Sequence, residues 1–239
     1  MGLTRYAFRR EFSASKLAAA GFTNIELVDS FDGFNGDVDA ALDALGVKFN
    51  PGLRKGHKGC SYTQMAAWKQ MIDDGVPYRV FFEDDAIPHL DMKTLGDKFW
   101  KQTPKDFDIL YMGNMMGNIN LKDDIVKVPT YCLHAYMLSR KGALRMFELA
   151  KEANGRGEYL NMLDIQLVQW QIGKKIEWYC WNGTQTQRSY PTFDEGLPWQ
   201  HFPVVITPHK DTGLFWQNMR VGTTLEHPTL QIAMPQYSI

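Results

Sequence analysis

The apolar run Tyr78-Arg79-Val80-Phe81-Phe82 passes without a break into Glu83-Asp84-Asp85, and few arrangements satisfy both halves. A short aromatic and branched run closed by Pro88 has the composition of a buried strand. Three adjacent carboxylates at its tip repel one another and lose hydration. A divalent cation would offset that cost by pairing with them. Alternate residues of an extended segment face the same way, so Glu83 and Asp85 are expected to share one ion while Asp84 faces elsewhere. Hard oxygen ligands suit Mg2+ or Mn2+, and either ion can bridge the phosphates of a nucleotide. The competing expectation is a solvated loop whose acids cap the following helix.

The flanking sequence alternates helix and strand signals. Phe12 to Ala20, stopped by Gly21, reads as a helix, and Asn24 to Val28 as a strand. Asp32-Gly33 and Asn35-Gly36 mark turns, and Asp37 to Leu45, closed by Gly46, suggests a short helix. The stretch up to Gly59 is rich in Gly, Lys and His and reads as a loop. Ser61-Tyr62-Thr63-Gln64 has the capping-box pattern, so a helix is expected to start there, with Met65, Trp68, Met71 and Ile72 forming its apolar stripe up to Gly75. Asp108 to Gly113 and Tyr131 to Leu138 are further strands. Ser139 is placed to cap a helix over 141–150, and Met162 to Ile172 is a helix closed by Gly173. Such alternation predicts an α/β domain with a mostly parallel central sheet flanked by helices. Ligands then bind at the carboxyl ends of the strands, where Glu83, Asp84 and Asp85 lie. With no repeat or linker, residues 1–239 are expected to form a single domain, with an irregular C-terminal wrap from about residue 181.

Composition narrows the partners. At 239 residues and 44% hydrophobic, the chain can fill one sizeable core, and a net charge of -1 encodes no general attraction to nucleic acid. No stretch reaches the ~20 apolar residues of a membrane span, and the start Met1-Gly2-Leu3 lacks a signal-peptide run, so a cytoplasmic protein is expected. Cys60, Cys132 and Cys180 are odd in number and widely spaced, which fits reduced thiols.

Four motifs in order carry a family resemblance. Gly59-Cys60 with Trp68, then Phe82-Glu83-Asp84-Asp85, then Asp108-Ile109-Leu110-Tyr111-Met112-Gly113, then the segment from Ala135 to Ala143 resemble glycosyltransferase family 25 over about residues 3 to 170. The resemblance implies a GT-A type fold and inverting transfer of a hexose, usually galactose from UDP-galactose, to a glycan or hydroxyl acceptor, with manganese. By the same resemblance, Glu83 and Asp85 hold the metal, completed by His209, and Asp84 contacts the donor. Asp32, Arg5, Arg9 and Lys210 are further donor-binding candidates. Asp164 matches an acidic residue near the transferred sugar, and a carboxylate is a suitable general base for an acceptor hydroxyl. The bland reading of Asp164 is a helix N-terminal charge, that of Asp32 a plain turn, and that of His209 a surface side chain.

The sequence departs from the family pattern where Gly2 replaces an expected Asn, and where Thr63-Gln64 replaces Ser-His. The first strand of the family would precede Met1, so either it is missing or another segment fills its place. These departures leave a second class open, a non-catalytic nucleotide-sugar or glycan-binding module derived from such a transferase. A third, a two-metal phosphoester hydrolase, would need a second set of His and Asp ligands, for which the sequence has only scattered candidates.

Overall fold

The computed structural model describes residues 1–89, 91–115, 123–182, 211–213 and 215–217, with the backbone alone for 5, 8, 114–115 and the segments beyond 210. The strands are β1 (Tyr78–Phe82), β2 (Ala86–Pro88), β3 (Ile109–Met115), β4 (Ile125–Val126), β5 (Tyr131–Ser139), β6 (Trp178–Trp181), β7 (Asp211–Gly213) and β8 (Phe215–Gln217). The helices are α1 (Ala7–Ala19), α2 (Val38–Ala44), α3 (Lys55–Asp73), α4 (Met92–Gln102), α5 (Arg140–Gly155) and α6 (Leu163–Ile172). The main sheet has the order β1-β5-β3-β6-β4, with β7 added to β3, and β2 pairs β8 in a separate ribbon.

The α/β class is as expected, but the sheet is not mostly parallel. Among the described strands of this sheet only β3 and β6 run parallel; β1–β5, β3–β5, β4–β6 and β3–β7 are antiparallel. Alternating helices and strands predict a parallel sheet only when each crossover carries a helix between neighbouring strands. Here the chain between β3 and β5 contains no described helix, so these two long strands pair antiparallel. Strand β5 thereby inserts between β1 and β3, which the helix α4 connects.

Helices cover both faces. Ile109 and Tyr111 of β3 join the core with α3, α5 and α6, whereas Leu110 and Met112 join Phe99 of α4 and Leu17 of α1 on the other side. This period of two along β3 is the signature of a strand buried on both faces. Ser139 caps α5 as expected, accepting from the Gly142 N–H at 2.9 Å. Among the described residues no helix is long and apolar enough to cross a membrane.

Three local expectations are corrected. Asn24 to Val28 forms no strand; Asn24, Ile25, Glu26 and Leu27 are all exposed, so neither face is buried, and among the described residues the pairing here is a parallel bridge between Gly2 and Asp29. Helix α1 begins at Ala7, directly after a 3-10 turn over Thr4–Tyr6, five residues before its apolar pattern is recognisable. Helix α3 begins at Lys55, six residues before Ser61, so the Gly-, Lys- and His-rich stretch is helical. Its glycines answer a packing demand. A Cβ on Gly59 would lie 2.8 Å from the Phe31 carbonyl oxygen, and one on Gly33 would lie 2.0 Å from the Lys55 carbonyl oxygen.

A pair of substitutions separates packing from propensity. Exchanging Gly for Ala within a helix ordinarily stabilises by about 1 kcal/mol, and Gly155→Ala, with nothing within 4 Å of the added carbon, should raise the thermal midpoint. Gly59→Ala should lower it, since overpacking costs about 1–3 kcal/mol. Thermal denaturation followed by circular dichroism checks both signs.

Candidate functional site

The acidic tip of β1 is shaped by where pairing stops. Phe82 is in register with Ala135, and the Glu83 N–H still reaches the His134 carbonyl at 2.9 Å. The chain then turns, with the Ala86 N–H donating to the Glu83 carbonyl at 3.2 Å. Because 83–86 is a turn and not an extended segment, the alternating arrangement expected of the three acids does not hold. Asp84 and Asp85 share one side, toward Arg9, and Glu83 points toward α3.

Helix α1 supplies the first wall. Arg9, Ser13 and Leu17, four residues apart, are all buried, as one face of a helix requires. The Arg9 guanidinium, 5% exposed, lies 2.8 Å from Asp84 Oδ1 and 3.9 Å from Asp85 Oδ2. One turn on, Ser13 Oγ donates to the Ala86 carbonyl at 3.3 Å. Gly2 backs Asp84 so closely that a Cβ would fall 2.5 Å from Asp84 Oδ2. The residue found where an Asn was expected thus makes room for the acid. Its N–H and C=O pair with Val28 and Ser30, so residues 1–3 occupy a short strand-like position beside the site.

Helix α3 supplies the second wall. Gln64 Nε2 donates to Glu83 Oε1 at 3.1 Å, and Gln64 Oε1 accepts from the Tyr136 hydroxyl. That hydroxyl accepts in turn from Trp68 Nε1 at 2.7 Å. Gln64 therefore does not close a capping box; mid-helix, it links the acidic turn to the core. Cys60 Sγ also lies 3.8 Å from Glu83 Oε1. Burial, with Asp85 and Asp84 adding repulsion, pushes the Glu83 carboxyl up to about 8. Burial likewise pushes Asp84 up to about 6, outweighing the attraction of Arg9.

Asp164 lies in the first turn of α6, half-buried, its Oδ1 accepting from the Ile165 N–H at 2.8 Å. Burial raises its carboxyl above the ordinary value, while nearby His57 pulls the other way. The start of α6 is fixed to α3, because the Leu163 N–H donates to Ser61 Oγ at 3.2 Å. The Cys60 thiol is pushed well up by burial and by the charges of Glu83, Asp164 and Asp85. Asp164 and the acidic turn therefore flank one face of α3, along which His57, Cys60, Ser61 and Gln64 recur at three- and four-residue intervals.

The other candidates are less joined to this cluster. The Asp32 carboxylate is engaged by the Phe34 N–H at 3.1 Å and the Asn35 amide at 2.6 Å, which is a self-closing turn. That turn abuts the first turn of α3 through Gly33. His209, Lys210 and the Arg5 side chain lie outside the described residues.

Comparison with known proteins places this arrangement. Residues 3–160 match glycosyltransferase family 25, described as LPS biosynthesis protein. The chain belongs to this family. Its sequence is also 30% identical over 199 residues to the lacto-N-neotetraose biosynthesis glycosyltransferase LgtE of Neisseria meningitidis serogroup B. That alignment covers 77% of this chain and 66% of the relative, so the chain spans just under two thirds of the relative's length. The family 25 match takes in both walls and the acidic turn, and ends shortly before Asp164.

Do these residues of the family 25 chain fit a divalent cation? Among the described residues no three His, Cys, Asp or Glu side chains form a ready-made cage. The donors are nevertheless of the right kind. Asp84 Oδ2 is buried and has no hydrogen-bond partner among the described residues, and carboxyls pushed toward protonation by burial, with acidic neighbours adding to it, gain most from a cation. Two contributors escaped the sequence reading, Tyr136 and Ser13. The available signal for the second wall was the polar stripe at 57, 60, 61 and 64, obscured by reading 55–60 as a loop.

A pH dependence follows. Glu83 and Asp84 titrate higher in the folded chain than the values of 4.5 and 3.8 taken for the unfolded groups. The folded state therefore holds more protons in that window, and stability falls as pH rises from about 4 to about 8. In metal-free buffer the thermal midpoint should drop from pH 5 to pH 9, and Glu83→Gln should flatten the drop. An equally steep profile in that variant would contradict the assignment.

Proposed function

We propose that this family 25 chain is a glycosyltransferase of GT-A type that moves a hexose, with UDP-galactose as the favoured donor, onto a hydroxyl of a glycan acceptor with inversion. Family membership and the lacto-N-neotetraose biosynthesis relative support the reaction class. The observation that carries the reading is the buried acidic turn facing the same polar stripe of α3 as Asp164.

Mn2+ or Mg2+ would be held by Asp84 and Asp85 with Glu83 beside them, and would supply positive charge to the donor diphosphate. The acceptor oxygen bonds to the anomeric carbon as the bond to the diphosphate breaks. Asp164 takes the proton from that oxygen. Its burial favours the role, because a raised carboxyl is a stronger base. Arg9 orients Asp84 and shares in neutralising the acids. His209 and Lys210 remain candidates for the same metal and diphosphate.

A second reading, a metal-independent or purely binding site, is favoured by one fact: Arg9 already stands against Asp84 and near Asp85. Chelation separates the two. UDP release from UDP-galactose in the presence of an acceptor should be lost in EDTA and restored by Mn2+, and Asp85→Asn should abolish it without loss of fold. Full turnover in chelator would assign the neutralising charge to Arg9.

Asp164→Asn should lower turnover by ~100-fold or more while donor affinity survives, since the base acts on the acceptor. If Asp164 only caps its helix, Asn serves about as well and the rate stays near wild type. Turnover and donor affinity measured on the same variant decide.

A further inference from the structure

Glu83 has two carboxylate oxygens and only one is occupied. Oε1 receives the Gln64 amide at 3.1 Å and the Cys60 thiol at 3.8 Å, and Oε2 makes no hydrogen bond among the described residues. The direction of the Gln64 amide is itself determined. Trp68 Nε1–H is a donor only, so the Tyr136 oxygen must accept from it, at 2.7 Å. The Tyr136 proton then goes to Gln64 Oε1, which leaves Nε2 as the end that faces Glu83. All three side chains of this relay are buried, and its members come from α3 and β5. A reversed amide would set its N–H2 against the Tyr136 hydroxyl and its oxygen against Glu83.

We infer that Gln64 is a positioning residue of the transferase site: anchored by Tyr136 and Trp68, it fixes the Glu83 carboxylate by Oε1 so that Oε2 is the oxygen offered to the donor complex. The inference rests on the proposed function for what Glu83 does, and on the hydrogen bonds alone for what Gln64 does. Residues that orient ligating carboxylates typically cost 10–100-fold in metal affinity or activity when removed. A core amide with no such role costs stability alone.

The test uses the full chain in four forms: wild type, Gln64→Leu, Tyr136→Phe and the double variant. Binding of Mn2+–UDP is measured by calorimetry, kcat and KM are measured with UDP-galactose and acceptor, and thermal midpoints are recorded. Gln64→Leu should weaken Mn2+–UDP binding or kcat by roughly 10–100-fold. Tyr136→Phe should move the same quantity in the same direction by less. The double variant should be no worse than Gln64→Leu, because both changes act through one carboxylate. Lowered thermal midpoints with Mn2+–UDP affinity and kcat at wild-type values would overturn the inference. If Gln64→Leu does not fold, Tyr136→Phe decides: an unchanged affinity and kcat overturns it, a loss in either supports it. A wild type that binds Mn2+–UDP but transfers no hexose would instead sink the proposed function, and the binding arm would still decide the role of Gln64.

Discussion

The burial of three adjacent, mutually repelling carboxylates is the constraint around which this site is arranged. Glu83, Asp84 and Asp85 occupy a turn with little water; burial is the larger reason that Glu83 and Asp84 resist ionisation, and repulsion from their acidic neighbours adds to it. The surrounding elements answer that demand one acid at a time. Helix α1 brings a guanidinium to Asp84 and Asp85, helix α3 brings an amide to Glu83, and the backbone at Gly2 closes over Asp84 without a side chain. Such an arrangement is costly for stability and is the kind of site where strain is kept for chemistry.

Arg9 gives the cluster a charge of its own. A fixed guanidinium cannot be deprotonated, and being 5% exposed it is a permanent partner. A cation drawn to these acids would meet them already partly neutralised, and its hold would be the weaker for it. Changes at Arg9 would therefore be felt both in the acids and in any positive charge they attract.

Much of this was legible in the sequence, and the failures have physical causes. β1, β3 and β5 were found because each is a short apolar, aromatic run, and α6 because its apolar residues recur at helical spacing and stop at Gly173. The acidic cluster was found because three carboxylates after an apolar run have few uses. Strand direction was not legible, since it depends on which strand inserts beside which, a long-range matter that β5 decides. The first turns of α3 were hidden because Gly56 and Gly59 carry the composition of a loop, whereas Gly59 is required by the close approach of Phe31 and Gly33. Gln64 was seen but misassigned. A local capping pattern explained it in four residues, and its true partners, Glu83 and Tyr136, lie 19 and 72 positions away.

Those separations also set an order of assembly. The acidic turn is synthesised well before Tyr136, which anchors its amide partner, and before Leu163, whose N–H reaches back 102 positions to Ser61. At a usual synthesis rate of roughly 5–20 residues per second, the nascent chain carries the three acids for on the order of several seconds before the second wall can close. The contacts that complete the site therefore come from segments on both sides of the turn in sequence, and those made by β5 and α6 can form only after the acids have been synthesised.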